Sequence, residues 1–169
     1  MLNKKIQDAL NSQVNAEIYS AYLYLAMEAY FRSLNLKGFA GWMCVQSKEE
    51  MGHAMKIYKF INERSGRAIL DAVAKPPAEW KSPLAVFEAA LKHEQKVTGL
   101  INGLIELAAK EKDHATTIFL QWFVTEQVEE ESNATEIVDK LKCLESSAAA
   151  LYMLDKELGQ RKPESEGGE

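Results

Sequence analysis

The sequence of 169 residues is poor in the features that mark three kinds of structure. Its 2 cysteines, Cys44 and Cys143, form no disulfide framework, and we expect both to be buried free thiols. With only 4 prolines and 9 glycines, the chain has few of the tight turns that an all-β fold needs. No apolar run approaches the roughly 18 residues of a membrane span, and the N-terminus lacks the apolar segment of a signal peptide. These absences favour a soluble, mostly helical protein, which we expect in the cytoplasm.

The charge balance is acidic, with 20 Lys and Arg residues against 25 Asp and Glu residues and a net charge of -5. An acidic surface repels phosphate backbones, so neither nucleic acid nor a membrane is an expected partner. The same charge suits a protein that binds cations. Hydrophobic residues make up 47% of the chain, enough for an ordinary globular core.

Hydrophobic periodicity predicts four long helices and a short fifth one. Ser82 followed by Pro83 is typical of an N-cap and a first helical residue. We expect residues 1–161 to form one domain and the polar tail, residues 162–169, to be disordered. The predicted helices lie at about 6–32, 39–64, 83–110, 113–144 and 147–159.

The connections between these helices predict the architecture. Short turns join the first helix to the second and the third to the fourth, so each pair forms an antiparallel hairpin. The middle connection, residues 67–81, can span roughly 50 Å when extended, whereas a long helix here measures about 40 Å. The sequence therefore predicts an all-α fold, a four-helix bundle with one long crossover and a short fifth C-terminal helix.

Polar side chains interrupt the apolar stripes that should face the core of this bundle. Glutamate is rarely buried unless it is paired or binds a metal, although a lone example could be a surface residue whose helix face is misassigned. The interrupting residues are Glu17, Glu50, His53, Glu94, Gln127 and Glu130.

Their spacing argues against six unrelated surface residues. Glu17 and Glu50 lie about equally far from the first turn, and Glu94 and Gln127 about equally far from the second, so all four lie near mid-bundle. The second hairpin repeats the pattern of the first, and residues at i and i+3, such as Glu50 and His53, share one helix face. We therefore expect one buried polar cluster with internal two-fold symmetry.

The ligand types in this cluster indicate which metal it would hold. Four carboxylates and one imidazole form an oxygen-rich set that favours iron or manganese over zinc. Four negative charges also balance two divalent cations, so the sequence predicts a dinuclear site.

This pattern of Glu17, Glu50-x-x-His53, Glu94 and Gln127-x-x-Glu130 on a bundle with a long crossover resembles the non-haem ferritins of bacteria and archaea. The resemblance covers nearly the whole chain. It implies iron storage and detoxification, ferroxidase activity that uses oxygen or peroxide, and a hollow homo-oligomeric shell of twenty-four subunits. The fifth helix would then pack near a symmetry axis of the shell.

The resemblance also implies roles for individual residues. Glu17, Glu50 and His53 would bind one iron ion, while Glu50, Glu94 and Glu130 would bind the other, with Glu50 as the bridge. Gln127 would form a hydrogen bond just outside the ligand set. A third iron site would use Glu49, Glu126, Glu129 and Glu130, although Glu126 and Glu129 also fit an ordinary charged helix face.

Two aromatic residues match electron donors of the family, although both also fit a purely packing role: Tyr24 and Trp122. His93 and His114 are expected at the surface or in packing positions rather than as ligands. The stretch at residues 18–27 is apolar almost all round its helix, which indicates a face that an assembly buries.

Two other functions stay open at this point. A haem-containing shell of the bacterioferritin type would place its haem-ligating methionine at Met51, but it would also need a second Glu-x-x-His where this chain has Gln127-x-x-Glu130. A structural subunit that stores mineral without oxidising iron would lose the Glu and His ligands, which this chain keeps.

Overall fold

The computed structural model describes residues 2–144 and 147–162, and these residues form five helices and no β-strand. The first four helices make an antiparallel bundle, and the fifth packs against the second. The predicted all-α architecture is therefore confirmed, while the predicted tail beyond residue 162 lies outside the described residues. The helices are α1 (Lys4–Ser33), α2 (Lys37–Glu63), α3 (Pro83–Lys110), α4 (His114–Cys143) and α5 (Ala148–Leu158).

Side-chain caps explain why four of these helices begin where they do. Asn3, Ser82, Asp113 and Ser147 each accept a hydrogen bond from a backbone N–H in the first turn of α1, α3, α4 and α5, respectively. Each cap satisfies one of the N–H groups that a helix start leaves without a partner. The N-cap predicted at Ser82 is confirmed, with a distance of 3.1 Å from its Oγ to the first-turn N–H.

The crossover between α2 and α3 runs along α1 and is tied to it by side-chain hydrogen bonds. Near the start of α1, the Asn11 side chain accepts a hydrogen bond of 3.0 Å from the backbone N–H of Ile69. Near the end of α1, the Tyr30 hydroxyl donates a 2.9 Å hydrogen bond to the carbonyl of Trp80. The crossover therefore travels the length of the bundle, as its residue count predicts.

The apolar core is divided into two clusters, one towards each end of the bundle. The first contains Phe31, Phe39 and Phe87 and includes the buried residues of α5. The second is built around residues such as Ile57 and Phe123, from the opposite ends of the same helices. The predicted metal ligands belong to neither cluster, so they form a polar layer between the two.

α5 is docked against the beginning of α2, which has no side-chain cap of its own. The Asp155 carboxylate supplies this cap, because its Oδ1 accepts hydrogen bonds from the N–H groups of Gly38 at 2.8 Å and Phe39 at 3.0 Å. A Cβ atom on Gly38 would lie 1.5 Å from the Asp155 carbonyl oxygen, so only glycine permits this approach. Leu154 and Leu158 complete the contact by burying their side chains in the first cluster.

Several surface features bear on the predictions. The expectation of two buried thiols is wrong for Cys143, which is exposed in the last turn of α4, where Leu141 is the side chain that faces the core, while Cys44 is half-buried. Among the helices that the structure describes, none is long and apolar enough to cross a membrane. On the predicted apolar stretch of α1, Tyr22 and Leu25 are 47% and 49% exposed.

Candidate metal centre

The six predicted polar residues lie together in the layer between the two apolar clusters. Their side chains come from all four long helices of the bundle. Glu17, Glu50 and Glu94 are each only 1% exposed, which rules out solvated surface positions for them. The members are Glu17 on α1, Glu50 and His53 on α2, Glu94 on α3, and Gln127 and Glu130 on α4.

Five of these residues form two overlapping groups of three that could each hold a metal ion. The first group is Glu17, Glu50 and His53, and the second is Glu50, Glu94 and Glu130. Within each group, one ligand atom from every residue lies within 4.8 Å of the others. Glu50 belongs to both groups, so two bound ions would be neighbours with one carboxylate between them.

Two carboxylate oxygens in this layer point to a cation. Within the described part of the chain, Glu17 Oε2 and Glu130 Oε2 are buried without a hydrogen-bond partner. A buried polar oxygen without a partner is costly, and a bound cation would remove that cost. His53 is in position to join them, with its Nδ1 3.6 Å from Glu50 Oε2 and 3.9 Å from Glu130 Oε1. The residues therefore fit a metal pair.

Two glutamine residues hold the carboxylates in place, and the sequence analysis missed both. Gln13 Nε2 donates a 2.8 Å hydrogen bond to Glu17 Oε1. Gln46 Nε2 donates 3.0 Å hydrogen bonds to Glu50 Oε1 and to Glu130 Oε1. Each glutamine lies four residues before a buried glutamate, on the same helix face. That spacing is a signal that could have identified them.

Hydrogen bonds from side chains on α1 and α4 hold the Glu94 carboxyl group. The Tyr24 hydroxyl donates a hydrogen bond to Glu94 Oε1. Gln127 Nε2 lies 3.3 Å from Glu94 Oε2 and 3.3 Å from the Thr98 hydroxyl. Gln127 is thus a hydrogen-bond donor beside the ligand set, which is the place that the resemblance predicts for it.

The two predicted redox aromatics contact the cluster in different ways. Burial, strengthened by the nearby Glu94 and Glu50 carboxylates, raises the pKa of Tyr24 well above its ordinary range, so the hydroxyl keeps its proton. Trp122 is partly exposed, and its ring centroid lies 5.3 Å from that of His53, with Lys56 Nζ 3.2 Å from the Trp122 centroid. Electron transfer by either residue stays a prediction.

Burial raises the pKa of all four carboxyl groups in the layer. The pKa values of Glu50 and Glu130 lie well above the ordinary range, first because of burial and then because of repulsion from neighbouring carboxylates. For Glu17 and Glu94, burial again raises the pKa, and hydrogen bonds partly oppose this rise. Without metal the layer therefore retains protons, which bound cations would displace.

The predicted third site differs from the pair. In the described ranges, 2–144 and 147–162, the two groups above are the only close triads of potential ligands, and neither includes Glu49, Glu126 or Glu129. Glu129 is exposed, and Glu49 Oε2 lies 2.5 Å from Arg161 Nη2. The third site stays a prediction.

The remaining residues singled out from the sequence lie outside the polar layer. His93 is half-buried, with its Nε2 2.7 Å from the Ser20 hydroxyl, and burial lowers its pKa to about 4, helped by Lys96. This is a packing role, as predicted, and His114 is exposed. Met51, the position of a haem ligand in the alternative function, is exposed on α2.

Comparisons with known proteins agree with this geometry. Residues 7–144 match the family model of the ferritin-like domain. The bacterial non-heme ferritin of Bacteroides fragilis is 46% identical over 161 residues, which cover 95% of this chain and 100% of the relative. The corresponding protein of Staphylococcus saprophyticus is 44% identical over 95% of this chain and 96% of its own. An open pore ferritin from the archaeon Archaeoglobus fulgidus superposes with a TM-score of 0.95 at 55% identity, covering 96% of this chain and 100% of that one.

Proposed function

Because the chain belongs to the ferritin family, we propose that it stores iron and that its buried polar layer oxidises Fe(II). The family and the ferritin-like fold expected from the sequence are both confirmed by these matches. The observation that best supports the proposed activity is the pair of potential ligand groups that share Glu50. A storage protein needs no such pair, whereas a two-electron oxidation does.

In the proposed centre, iron is the substrate. Glu17, Glu50 and His53 bind one Fe(II) ion, and Glu50 joins Glu94 and Glu130 in binding the other. The four carboxylates balance the charge of two divalent ions, so the loaded layer is close to neutral. Two adjacent ions can pass two electrons to one molecule of dioxygen or peroxide, and hydrolysis of the Fe(III) product then supplies the mineral.

The neighbouring side chains position the ligands in this scheme. Gln13 and Gln46 hold one oxygen of Glu17 and of Glu50, which leaves the other oxygen of each for metal. Tyr24 donates to Glu94 Oε1, and Gln127 donates to Glu94 Oε2. These hydrogen bonds hold the carboxylates through groups other than the metal, which reduces the reorganisation that each ion must cause.

Substitution of a shared and an unshared ligand tests the activity. Glu50→Ala and His53→Ala should abolish fast oxidation of Fe(II) in stopped-flow absorbance, because each breaks the pair. The matched control is Glu63→Ala, an exposed position on the same helix whose carboxylate lies 3.8 Å from the exposed Lys59. Wild-type rates in either ligand variant would refute the assignment.

We also propose that the subunits assemble into a closed shell, of twenty-four copies by analogy with the family. Exposed apolar side chains on α1 and α2 support an interface: Tyr22 and Leu25 on α1, and Met55 on α2. A shell would also enclose a mineral that otherwise precipitates. Light scattering at physiological salt should give a mass many times that of one subunit, and a stable monomer would contradict the proposal.

The alternative functions lead to different observations. A haem-containing shell would show a haem absorbance band after purification, with Met51 as the residue to replace. A structural subunit would show no fast oxidation, although this chain has all five ligands of the pair. The cytoplasmic location expected from the sequence stays a prediction, which cell fractionation would check.

A further inference from the structure

Thr98 on α3 and Glu131 on α4 extend the polar layer beyond Gln127. The Thr98 hydroxyl donates a hydrogen bond to the Glu131 carboxylate. Gln127 Nε2 lies 3.3 Å from the Thr98 oxygen and 3.3 Å from Glu94 Oε2. These contacts form one chain of hydrogen bonds, which leads from a half-buried carboxylate on α4 to a carboxyl group among the potential metal ligands.

The direction of each hydrogen bond in this chain is determined by the groups that make it. A threonine hydroxyl has one hydrogen, and Thr98 donates it to Glu131, so towards Gln127 its oxygen can only accept. The Gln127 side chain therefore turns its NH2 group, and not its carbonyl oxygen, towards Thr98. The same NH2 group donates to Glu94 Oε2 and, at 3.2 Å, to the Glu94 backbone carbonyl.

Packing alone does not hold this chain, because it borders a cavity of about 370 Å3 between α3 and α4. The cavity is lined by the Thr98, Gln127 and Glu131 side chains and by apolar groups such as Ile101 and Val124. A side chain beside open space can adopt more than one rotamer unless a hydrogen bond holds it. The orientation of Gln127 therefore depends on its hydrogen bonds.

Alanine takes the positions of Thr98 and Glu131 in the other half of the bundle. The internal repeat of the two hairpins relates Thr98 to Ala21 and Glu131 to Ala54, at the same spacing along the chain that relates the ligands of the two halves. Both alanines are buried, at 4% and 1% exposure. The fold therefore accepts a small apolar residue at both positions, and helix packing does not require the polar pair.

Glu94 is the carboxyl group whose position this chain affects. Its Oε1 accepts a hydrogen bond from the Tyr24 hydroxyl, and its Oε2 accepts one from Gln127. Each carboxylate oxygen has two lone pairs, so an oxygen that accepts one hydrogen bond can still bind a metal ion. The two donors together define the plane of the carboxyl group and thus the direction of its remaining lone pairs.

Glu94 also distinguishes the two halves of the proposed metal pair. It belongs to the group with Glu50 and Glu130 and is not a member of the group that contains His53. We call the first group the Glu94 site and the second the His53 site. A shift of the Glu94 carboxyl group therefore affects the ion at the Glu94 site first.

We propose that Thr98 is a positioning residue for the metal pair and that it acts through Gln127 on Glu94. Its hydroxyl orients the Gln127 amide, and that amide orients the Glu94 carboxyl group. The inference rests on the proposed metal pair, and it adds that one of the two ions depends on a threonine hydroxyl outside the ligand set. Loss of the hydroxyl weakens binding at the Glu94 site and leaves the His53 site unchanged.

Crystals of the full-length protein, soaked anaerobically with limiting Fe(II), measure the two sites separately. The quantity compared is the ratio of the anomalous peak at the Glu94 site to that at the His53 site. In Thr98→Val, which keeps the shape of threonine without the hydroxyl, we expect this ratio to fall about 5-fold, as the loss of one hydrogen bond between neutral groups predicts. Thr98→Ser keeps a hydroxyl and should retain the wild-type ratio.

Two further variants test the route and its specificity. In Gln127→Leu the link between Thr98 and Glu94 is missing, so adding Thr98→Val should cause no further fall in the ratio. The matched control is Thr125→Val, which removes an exposed hydroxyl that donates to the Gln121 carbonyl within α4. This control should keep the wild-type ratio.

Each contrary outcome has a distinct meaning. An unchanged ratio in Thr98→Val, or an equal loss at both sites, would overturn the inference while leaving the metal pair intact. A fall of the same size in the Gln127→Leu background would also overturn it, because Thr98 would then not act through Gln127. If Thr98→Val does not fold, Thr98→Ala replaces it, because alanine stands at the equivalent position, Ala21. Empty sites in every protein, including the wild type, would instead refute the proposed function.

Discussion

Replacing Glu50 with glutamine should stabilise the metal-free protein and destabilise the metal-bound protein, because it removes one buried carboxyl group. It is almost completely buried, and burial together with repulsion from Glu94 and Glu17 raises its pKa well above the ordinary range. Glutamine has nearly the same shape and no charge to bury. We therefore expect Glu50→Gln to change the pH dependence of stability in a direction that the raised pKa determines.

The sign follows from proton binding. Above the ordinary glutamate pKa of about 4.3, the unfolded chain loses the Glu50 proton while the folded chain still holds it. The free energy of unfolding of the wild type then falls by about 1.4 kcal/mol per pH unit for each proton so retained, until the pH passes the raised pKa. The stabilising contribution of the protonated group is thus present at low pH and lost as the pH rises.

The magnitude is large enough to measure. For a chain of this size, 1 kcal/mol shifts the Tm by about 2–4 °C, so one retained proton corresponds to about 3–6 °C per pH unit. The Tm of metal-free Glu50→Gln should equal that of the wild type near pH 4. As the pH rises towards 8, the Tm of the variant should exceed that of the wild type by an increasing amount. The assay is differential scanning calorimetry of chelator-treated protein at one subunit concentration and one scan rate.

With metal bound, the order of the two Tm values should reverse, so that the wild type is more stable than Glu50→Gln. A ligand at 100 times its Kd stabilises the folded state by about 2.7 kcal/mol, and Glu50→Gln loses the carboxylate that both ions would share in the proposed centre. The control is Glu63→Gln, which removes an exposed carboxylate from the same helix and should keep the wild-type pH profile. Parallel pH profiles for Glu50→Gln and the wild type would refute the argument that burial of these carboxylates is costly.

Three further predictions concern the protons of the polar layer, the Tyr24–Glu94 hydrogen bond and the contact between Gly38 and α5. Anaerobic Fe(II) binding should release protons, seen as a buffer-dependent calorimetric enthalpy, because the pair displaces protons that burial keeps on the carboxyls; equal enthalpies in two buffers would contradict this. Tyr24→Phe removes the hydrogen bond to Glu94 and should destabilise the metal-free protein by about 1–3 kcal/mol in urea unfolding, whereas no change would show that this bond contributes nothing. Gly38→Ala should displace α5 and cost at least the Asp155 cap, about 1 kcal/mol, while Gly41→Ala, where a Cβ meets nothing within 4 Å, should be neutral or stabilising in the same melt.

The bundle was predictable from the sequence because its signals are local. The N-cap at Ser82 fixes the start of α3 at Pro83, and the crossover has the length that the path along α1 requires. The buried glutamates were also predictable, since a charged residue in an apolar stripe stands out against the helical period. Glu17 and Glu94 are each almost fully buried, as that argument requires.

The supporting contacts were harder to predict, because they depend on how the helices dock. Gln46 lies on the same helix face as Glu50, yet its second carboxylate, Glu130, is on another helix. Arg161 comes after a fifth helix whose existence the sequence predicts but whose docking place it does not. That place depends on the contact between Gly38 and Asp155, which joins residues that are distant in the chain.

The division of the core explains how the fold tolerates four carboxyl groups in its middle. The cluster around Phe31 and Phe87 closes one end of the bundle, and the cluster around Ile57 and Phe123 closes the other. Each buries apolar surface at roughly 25 cal/mol per Å², so the stabilising free energy comes from layers that contain no ligand. Substitutions in the polar layer can therefore change metal binding without removing the contacts that hold the helices together. The edge of that layer differs, because there Arg161 follows α5 and contacts Gln46 and Glu49 of α2, so the docking of α5 is linked to a side chain that holds two of the buried carboxylates.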